Sequence, residues 1–211
     1  AQAIGVYLAL AVDKAADYWS TICFWHNGAA HLKIVNTFAR QALPMTWDFA
    51  EGNPFSASSG NYFRFASLIS EVVSFATALT PAIVVQADAQ RQRISEGKVI
   101  STDPPYYDNI VYADLSDYFY VWLRRSLRRI YPSLFATLAV PKAEELVATP
   151  NRHGGKEEAE AFFLNGMTSA MHSLAEQSHP AFPVTIYYAF KQSETDIGTG
   201  TSSTGWETFL E

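Results

Sequence analysis

Two adjacent prolines, Pro104 and Pro105, place the tightest constraint on what this chain can become. Proline removes a ladder donor and fixes φ, so the β-branched run Val99-Ile100-Ser101-Thr102 must stop where they begin. The run reads as a buried strand, and Asp103-Pro104-Pro105-Tyr106-Tyr107 as a rigid turn at its carboxyl end. In open α/β sheets that edge is where ligands bind. An acid, a stiff backbone and a ring at that edge suit something flat and polar.

Apolar spacing organises the rest. Ile4, Leu8, Ala11, Val12, Ala15, Trp19 and Ile22 recur at helical intervals from Ala1 to about Trp25. A mixed stretch follows from His31 to Ala42, then a loop punctuated by Pro44, Gly52, Pro54 and Gly60. Phe63 to Leu79 is helical in period. Ile83-Val84-Val85, leading to Asp88, reads as a second buried strand ending in an acid. Two such strands with a short connection predict a parallel sheet entering a shared cleft. Helices are predicted over 114–130 and 156–177, with Phe162, Phe163, Met167, Ala170, Met171 and Leu174 buried on the second, and a strand over 184–190. The organisation read from the chain is a helical and loop segment, 1–80, packed on a partial α/β core, 81–211.

Composition limits the classes. Of 211 residues 48% are hydrophobic and 17% charged, a globular profile. The net charge of −6 and pI near 5.4 argue against a free-standing nucleic-acid binder while permitting an enzyme with a local basic patch. The single Cys23 excludes disulfides and any cysteine-based zinc site within the chain, and suits a cytoplasmic setting. His26, His31, His172 and His179 have no metal-ligand spacing with each other, so no metal is expected. Ala1 to Val12 is apolar but lacks the basic leader of a signal peptide and is too short to span a bilayer, so no membrane association is expected. The absent initiator Met, and a capping box at Thr204-Gly205-Trp206-Glu207 that starts a helix near the end, read as a piece of a longer protein.

Asp103-Pro104-Pro105-Tyr106 matches the [Asp/Asn/Ser]-Pro-Pro-[Tyr/Phe/Trp] signature of amino-group methyltransferases, which modify exocyclic nitrogens with S-adenosylmethionine. The chemistry requires these residue types. An aniline-like amine is a poor nucleophile because its lone pair is delocalised into the ring. A carboxylate and a backbone carbonyl accepting its two N–H bonds push the nitrogen toward a tetrahedral, nucleophilic state, and the aromatic side chain stacks on the base. A base held in a duplex must leave its stack to reach such a pocket.

The stretch Asp103 to Ile110, continuing through Tyr112-Ala113-Asp114-Leu115-Ser116-Asp117-Tyr118-Phe119-Tyr120-Val121-Trp122-Leu123-Arg124, resembles the adenine-specific DNA methylases that carry a zinc ribbon, a family also known by a DUF1156 domain. Leu43 to Phe55 and Thr204 to Glu211 are similar to stretches flanking the motif in that family. The resemblance covers most of the chain and implies a Rossmann-like fold, S-adenosylmethionine as methyl donor and adenine N6 in DNA as target. It gives Asp103 and the Pro104 carbonyl the amine, with Pro105 stiffening the turn and Tyr106 stacking on the base. It also makes Asp88 a candidate partner for the cofactor's adenine. Two departures stand out: the zinc-ribbon cysteines are absent, and no glycine-rich cofactor loop of the form Asp-Pro-Phe-x-Gly-x-Gly precedes the motif. Asp196-Ile197-Gly198-Thr199-Gly200 has a similar spacing but follows a polar stretch, and is read as a loop. Asn53-Pro54-Phe55, with one proline and no strand before it, is read as loop packing.

Three further residues are candidate DNA contacts: Tyr107 beside the motif, and Lys142 and Arg152 on the loop after the 114–130 helix. Arg124, Arg125, Arg128 and Arg129 complement the dipole at that helix's C-terminus, with phosphate contact as the alternative. Methylation of another amine or amide, in RNA or a protein glutamine, remains open, as does a non-catalytic relative that senses nucleic acid. Oligomeric state is not read from the sequence.

Overall fold

The computed structural model describes residues 1–28, 31–58, 60–76, 80–108 and 110–188. Its contacts group the chain into two compact units, Ala1–Ala82 with Tyr112–Pro141, and Ile83–Val111 with Lys142–Glu211. The capping box at Thr204 and the Asp196–Gly200 stretch lie outside the described residues.

The first unit is built on three helices, α1 (Gln2–Trp19), α2 (Tyr62–Phe75) and α3 (Tyr112–Leu127). Small residues on α1 let its neighbours approach closely. Ala9 packs with Leu127 and Phe135, while Ala11 and Ala15 pack with Phe65. Asn61 caps α2, its side-chain oxygen accepting the Arg64 amide at 2.8 Å. The sequence had assigned the 112–127 helix to the second segment, but a helix's apolar face does not name its partner, and here α3 lies along α1.

The stretch around His31 departs from expectation. Phe24–Gly28 (β1) and His31–Val35 (β2) form an antiparallel hairpin, with Trp25 opposite Ile34 and His26 opposite Lys33. The hairpin is anchored to the end of α1 through Asp17. Its carboxylate accepts Asn36 Nδ2 and the Phe38 amide, each at 2.9 Å, and its carbonyl accepts the Thr37 amide at 2.8 Å. Buried Cys23 donates to the same carbonyl.

The second unit holds β3 (Ser101–Thr102) and β4 (Thr185–Ile186), paired in parallel, Ser101 with Thr185 and Thr102 with Ile186. The pairing extends backward through a bridge between Lys98 and Ser178. Between them run a single turn, α4 (Pro150–His153), and the long α5 (Lys156–Gln177), which has the predicted bounds. Glu157 and Glu158 in its first turn complement the helix dipole. Phe163, Met167 and Ala159 of α5 form the core with Tyr107, Leu146 and Ala148, with Phe162 and Met171 packed against them.

The predicted strand at Ile83-Val84-Val85 is not formed. Ile83 is 88% exposed and Val84 94%, and no ladder partner exists for them among the described residues. Three β-branched residues set a local preference, but only a pairing neighbour makes a strand. The parallel neighbour of β3 is instead β4, some eighty residues later. Among the described residues, no helix is long and apolar enough to cross a membrane.

Candidate active site

The double-proline turn leaves β3 at its carboxyl end. Pairing holds the strand in place up to that point: the Thr185 amide donates to the Ile100 carbonyl at 3.0 Å, and the Tyr187 amide to the Thr102 carbonyl at 2.8 Å. Beyond Thr102 the chain turns out of the ladder, with the Asp103 side chain exposed, Pro104 buried, and Pro105 and Tyr106 half-buried. The Tyr106 hydroxyl donates to Asp103 Oδ1 at 2.5 Å, so the acid and the ring of the motif face the same side of the turn.

Tyr107 anchors the turn from the opposite direction. Its φ of +45° lies in the left-handed region, uncommon for a non-glycine residue and a genuine cost for a bulky one. The surroundings hold it there. Its ring is buried edge-on against Phe163 at 5.4 Å, its hydroxyl donates to Glu160 Oε1 at 2.7 Å, and its carbonyl accepts the Ala148 amide at 3.0 Å. Burial foremost, then the Glu160 carboxylate, holds the phenol well above its ordinary pKa. Tyr107 therefore packs into the core and presents no surface of its own.

Tyr188, just past β4, was not singled out from the sequence. Its ring meets that of Tyr106 edge-on, 5.3 Å between centroids and 74° between planes. Burial and the nearby Asp108 charge raise its phenol pKa. The readable signal was the aromatic pair Tyr187-Tyr188 within the strand predicted over 184–190. Pairing of β3 with β4 brings the two strand ends, and so Tyr106 and Tyr188, together.

The other candidates sit apart from this arrangement. Asp88 does not end a strand. Its carboxylate accepts the Gln90 amide at 2.9 Å and lies 3.7 Å from Arg91 Nε, the geometry of an acid that shapes its own turn. Arg152 is largely buried, its Nη1 2.6 Å from Glu145 Oε2 and within 3.5 Å of the Lys142 carbonyl, so it braces the loop in front of α5. His153 stacks on Phe162 at 4.0 Å. Asn53-Pro54-Phe55 forms a loop turn, the Asn53 side chain accepting the Phe55 amide at 2.9 Å.

Two features of a methyl-donor site are not seen among the described residues. Asp88 is engaged by its own turn, and no glycine-rich loop follows a strand among them. What the turn can do is present a carboxylate and a ring side by side to a planar, donor-bearing ligand.

No family model, curated protein or solved structure matches the chain.

Proposed function

We propose that the double-proline turn is the target-amine half of an S-adenosylmethionine-dependent methyltransferase of Rossmann-like fold, acting on N6 of adenine in DNA in the cytoplasm. One observation carries the reading: Asp103-Pro104-Pro105-Tyr106 leaves the carboxyl end of a strand in a parallel pair with the Asp103 carboxylate exposed and the Tyr106 ring beside it. Asp103 accepts one amine N–H and the Pro104 carbonyl the other, which draws the nitrogen lone pair out of conjugation. Tyr106 stacks on the base, with Tyr188 against its edge. Methyl transfer itself is assigned to no residue.

Asp at the first motif position favours adenine over an amide target, for which Asn is more usual. A second reading is a non-catalytic relative that senses nucleic acid. Labelled methyl transfer from S-adenosylmethionine to DNA, RNA and protein, measured on the full-length protein, separates them. Asp103→Ala should abolish transfer to DNA while leaving the circular dichroism spectrum unchanged. Retained transfer, or preference for RNA or protein, would overturn the adenine assignment. Absence of methyl-donor binding by calorimetry would favour the non-catalytic relative.

A further inference from the structure

The helical unit carries a second assemblage that the amine-methylation reading does not use. Trp19, Phe55, Tyr62, Tyr118 and Trp122 surround an open pocket of about 770 Å³, within the size range of small-ligand sites. Its lining carries no charged side chain. Two of its polar tips are already spent inside the fold: Trp19 Nε1 donates to the Gly60 carbonyl at 3.0 Å and the Tyr118 hydroxyl to the Ala16 carbonyl at 2.7 Å. What these rings offer an incoming group is faces and edges.

Cations follow Trp122 along the same helix. Residues three and four apart share a helix face, so Tyr118, Trp122 and Arg125 form one stripe along α3. At about 1.5 Å of rise per residue, the Cα atoms of Trp122 and Arg125 lie about 5 Å apart along the axis. Arg128 and Arg129 follow in the turn that ends the helix. All three arginines are exposed, and among the described residues none has a carboxylate partner. A helix dipole is satisfied by one or two such charges and does not require them beside an aromatic pocket. The charge balance agrees. Among the described residues this unit has eight Lys and Arg against seven Asp and Glu, whereas the unit with the double-proline turn has six against ten. A polyanion is therefore accepted more readily by the helical unit.

We infer that this pocket and the arginines that follow Trp122 bind single-stranded nucleic acid, bases stacking among Trp122, Tyr62 and Phe55 while Arg125, Arg128 and Arg129 take the phosphates. Stacking platforms beside a cationic track are the general means of holding an unpaired strand, because every base has a π-face. A duplex keeps its bases out of such a pocket.

The test is fluorescence anisotropy of the full chain with labelled dT and dA dodecamers, single-stranded and as a duplex, without methyl donor, between 50 and 300 mM salt. The single strands should bind more tightly than the duplex, with a log–log salt slope of about −2 for three phosphates. Trp122→Leu should weaken binding about ten- to hundredfold and leave the slope in place. Phe55→Ala, at a loop side chain 71% exposed, should act the same way with no threat to the fold. The combined Arg125→Gln, Arg128→Gln, Arg129→Gln variant should flatten the slope. Failure of single strands to bind at 50 mM salt, equal duplex binding, or indifference of both aromatic variants would each overturn the proposal. Because neither the methyl donor nor Asp103 takes part, failure here leaves the amine-methylation reading standing, and failure of that reading leaves this one.

Discussion

Asp13 is a carboxylate that the helical unit holds at a cost. It lies on the packed side of α1, 9% exposed, and its Oδ1 has no hydrogen-bond partner. Its neighbour one turn on, Asp17, is equally buried but accepts two 2.9 Å hydrogen bonds. Burial without partners disfavours the charged form and raises the Asp13 pKa from 3.8 to about 7. The unfolded chain releases this proton near pH 4, whereas the folded chain keeps it until about pH 7. Between those values the folded state binds more protons, so stability falls as pH rises through the window and levels off above it. At 1.36 kcal/mol per pKa unit the loss is on the order of 2–4 kcal/mol, the lower end applying where water reaches the rim of the site. Asp13→Asn removes the charge and keeps the shape. Urea unfolding followed by tryptophan fluorescence from pH 4 to 8 should show variant and parent converging at pH 4. The variant should be ahead by about 2–4 kcal/mol at pH 8. Other titrating groups cancel in the difference, and any fixed cost of burying the amide offsets it equally at every pH, so the change across the window is what reports on Asp13. A difference that stays constant across the window would refute the reasoning.

Two further substitutions probe the unit that carries the turn. Gly166 lies on the buried side of α5, and a Cβ there would come 2.2 Å from Leu146 Cδ2 and 3.3 Å from its Cγ. Gly166→Ala should therefore lower Tm, overpacking of about 1–3 kcal/mol exceeding a helix-propensity gain of roughly 1 kcal/mol; a raised Tm would show that Leu146 moves aside freely. Tyr107→Phe keeps the ring on Phe163 but removes the bond to Glu160, and should cost about 1–3 kcal/mol in chemical denaturation, the range for a hydrogen bond to a charged group. An unchanged midpoint would mean that the Glu160 bond does not hold the left-handed turn.

The parts legible in the sequence were those whose cause is local. The α5 bounds followed from 3.6-residue spacing over six turns, with Phe163, Met167 and Ala170 buried as the pattern required. The end of β3 followed from proline's missing donor. Longer-range causes were not legible. The β1–β2 hairpin has exposed residues on both faces, so its residues lack the alternation that marks a half-buried strand. Its position is set by Asp17 reaching three residues from 36 to 38, which no spacing rule encodes. Ile83-Val84-Val85 has strand composition without a strand's neighbour. Tyr188 joins the turn only because β4 pairs with β3, and Asp88 lost its expected place because the strand before it does not form. Of the turn itself, the residues were readable, but the closure of Tyr106 onto Asp103 is a matter of side-chain geometry.

That closure makes binding at Asp103 an exchange. The Tyr106 hydroxyl already occupies one acceptor position of Asp103 Oδ1 from three residues away, at the high effective concentration of an intramolecular partner. A ligand that offers the carboxylate a single donor only replaces one hydrogen bond by another and gains little. A ligand that brings two donors, or adds a flat face for the freed ring, ends with more contacts than it displaced. The turn thus favours a ligand with a flat face: a simple hydroxyl in place of the tyrosine's breaks even, and a planar amine that also stacks on the freed ring does not.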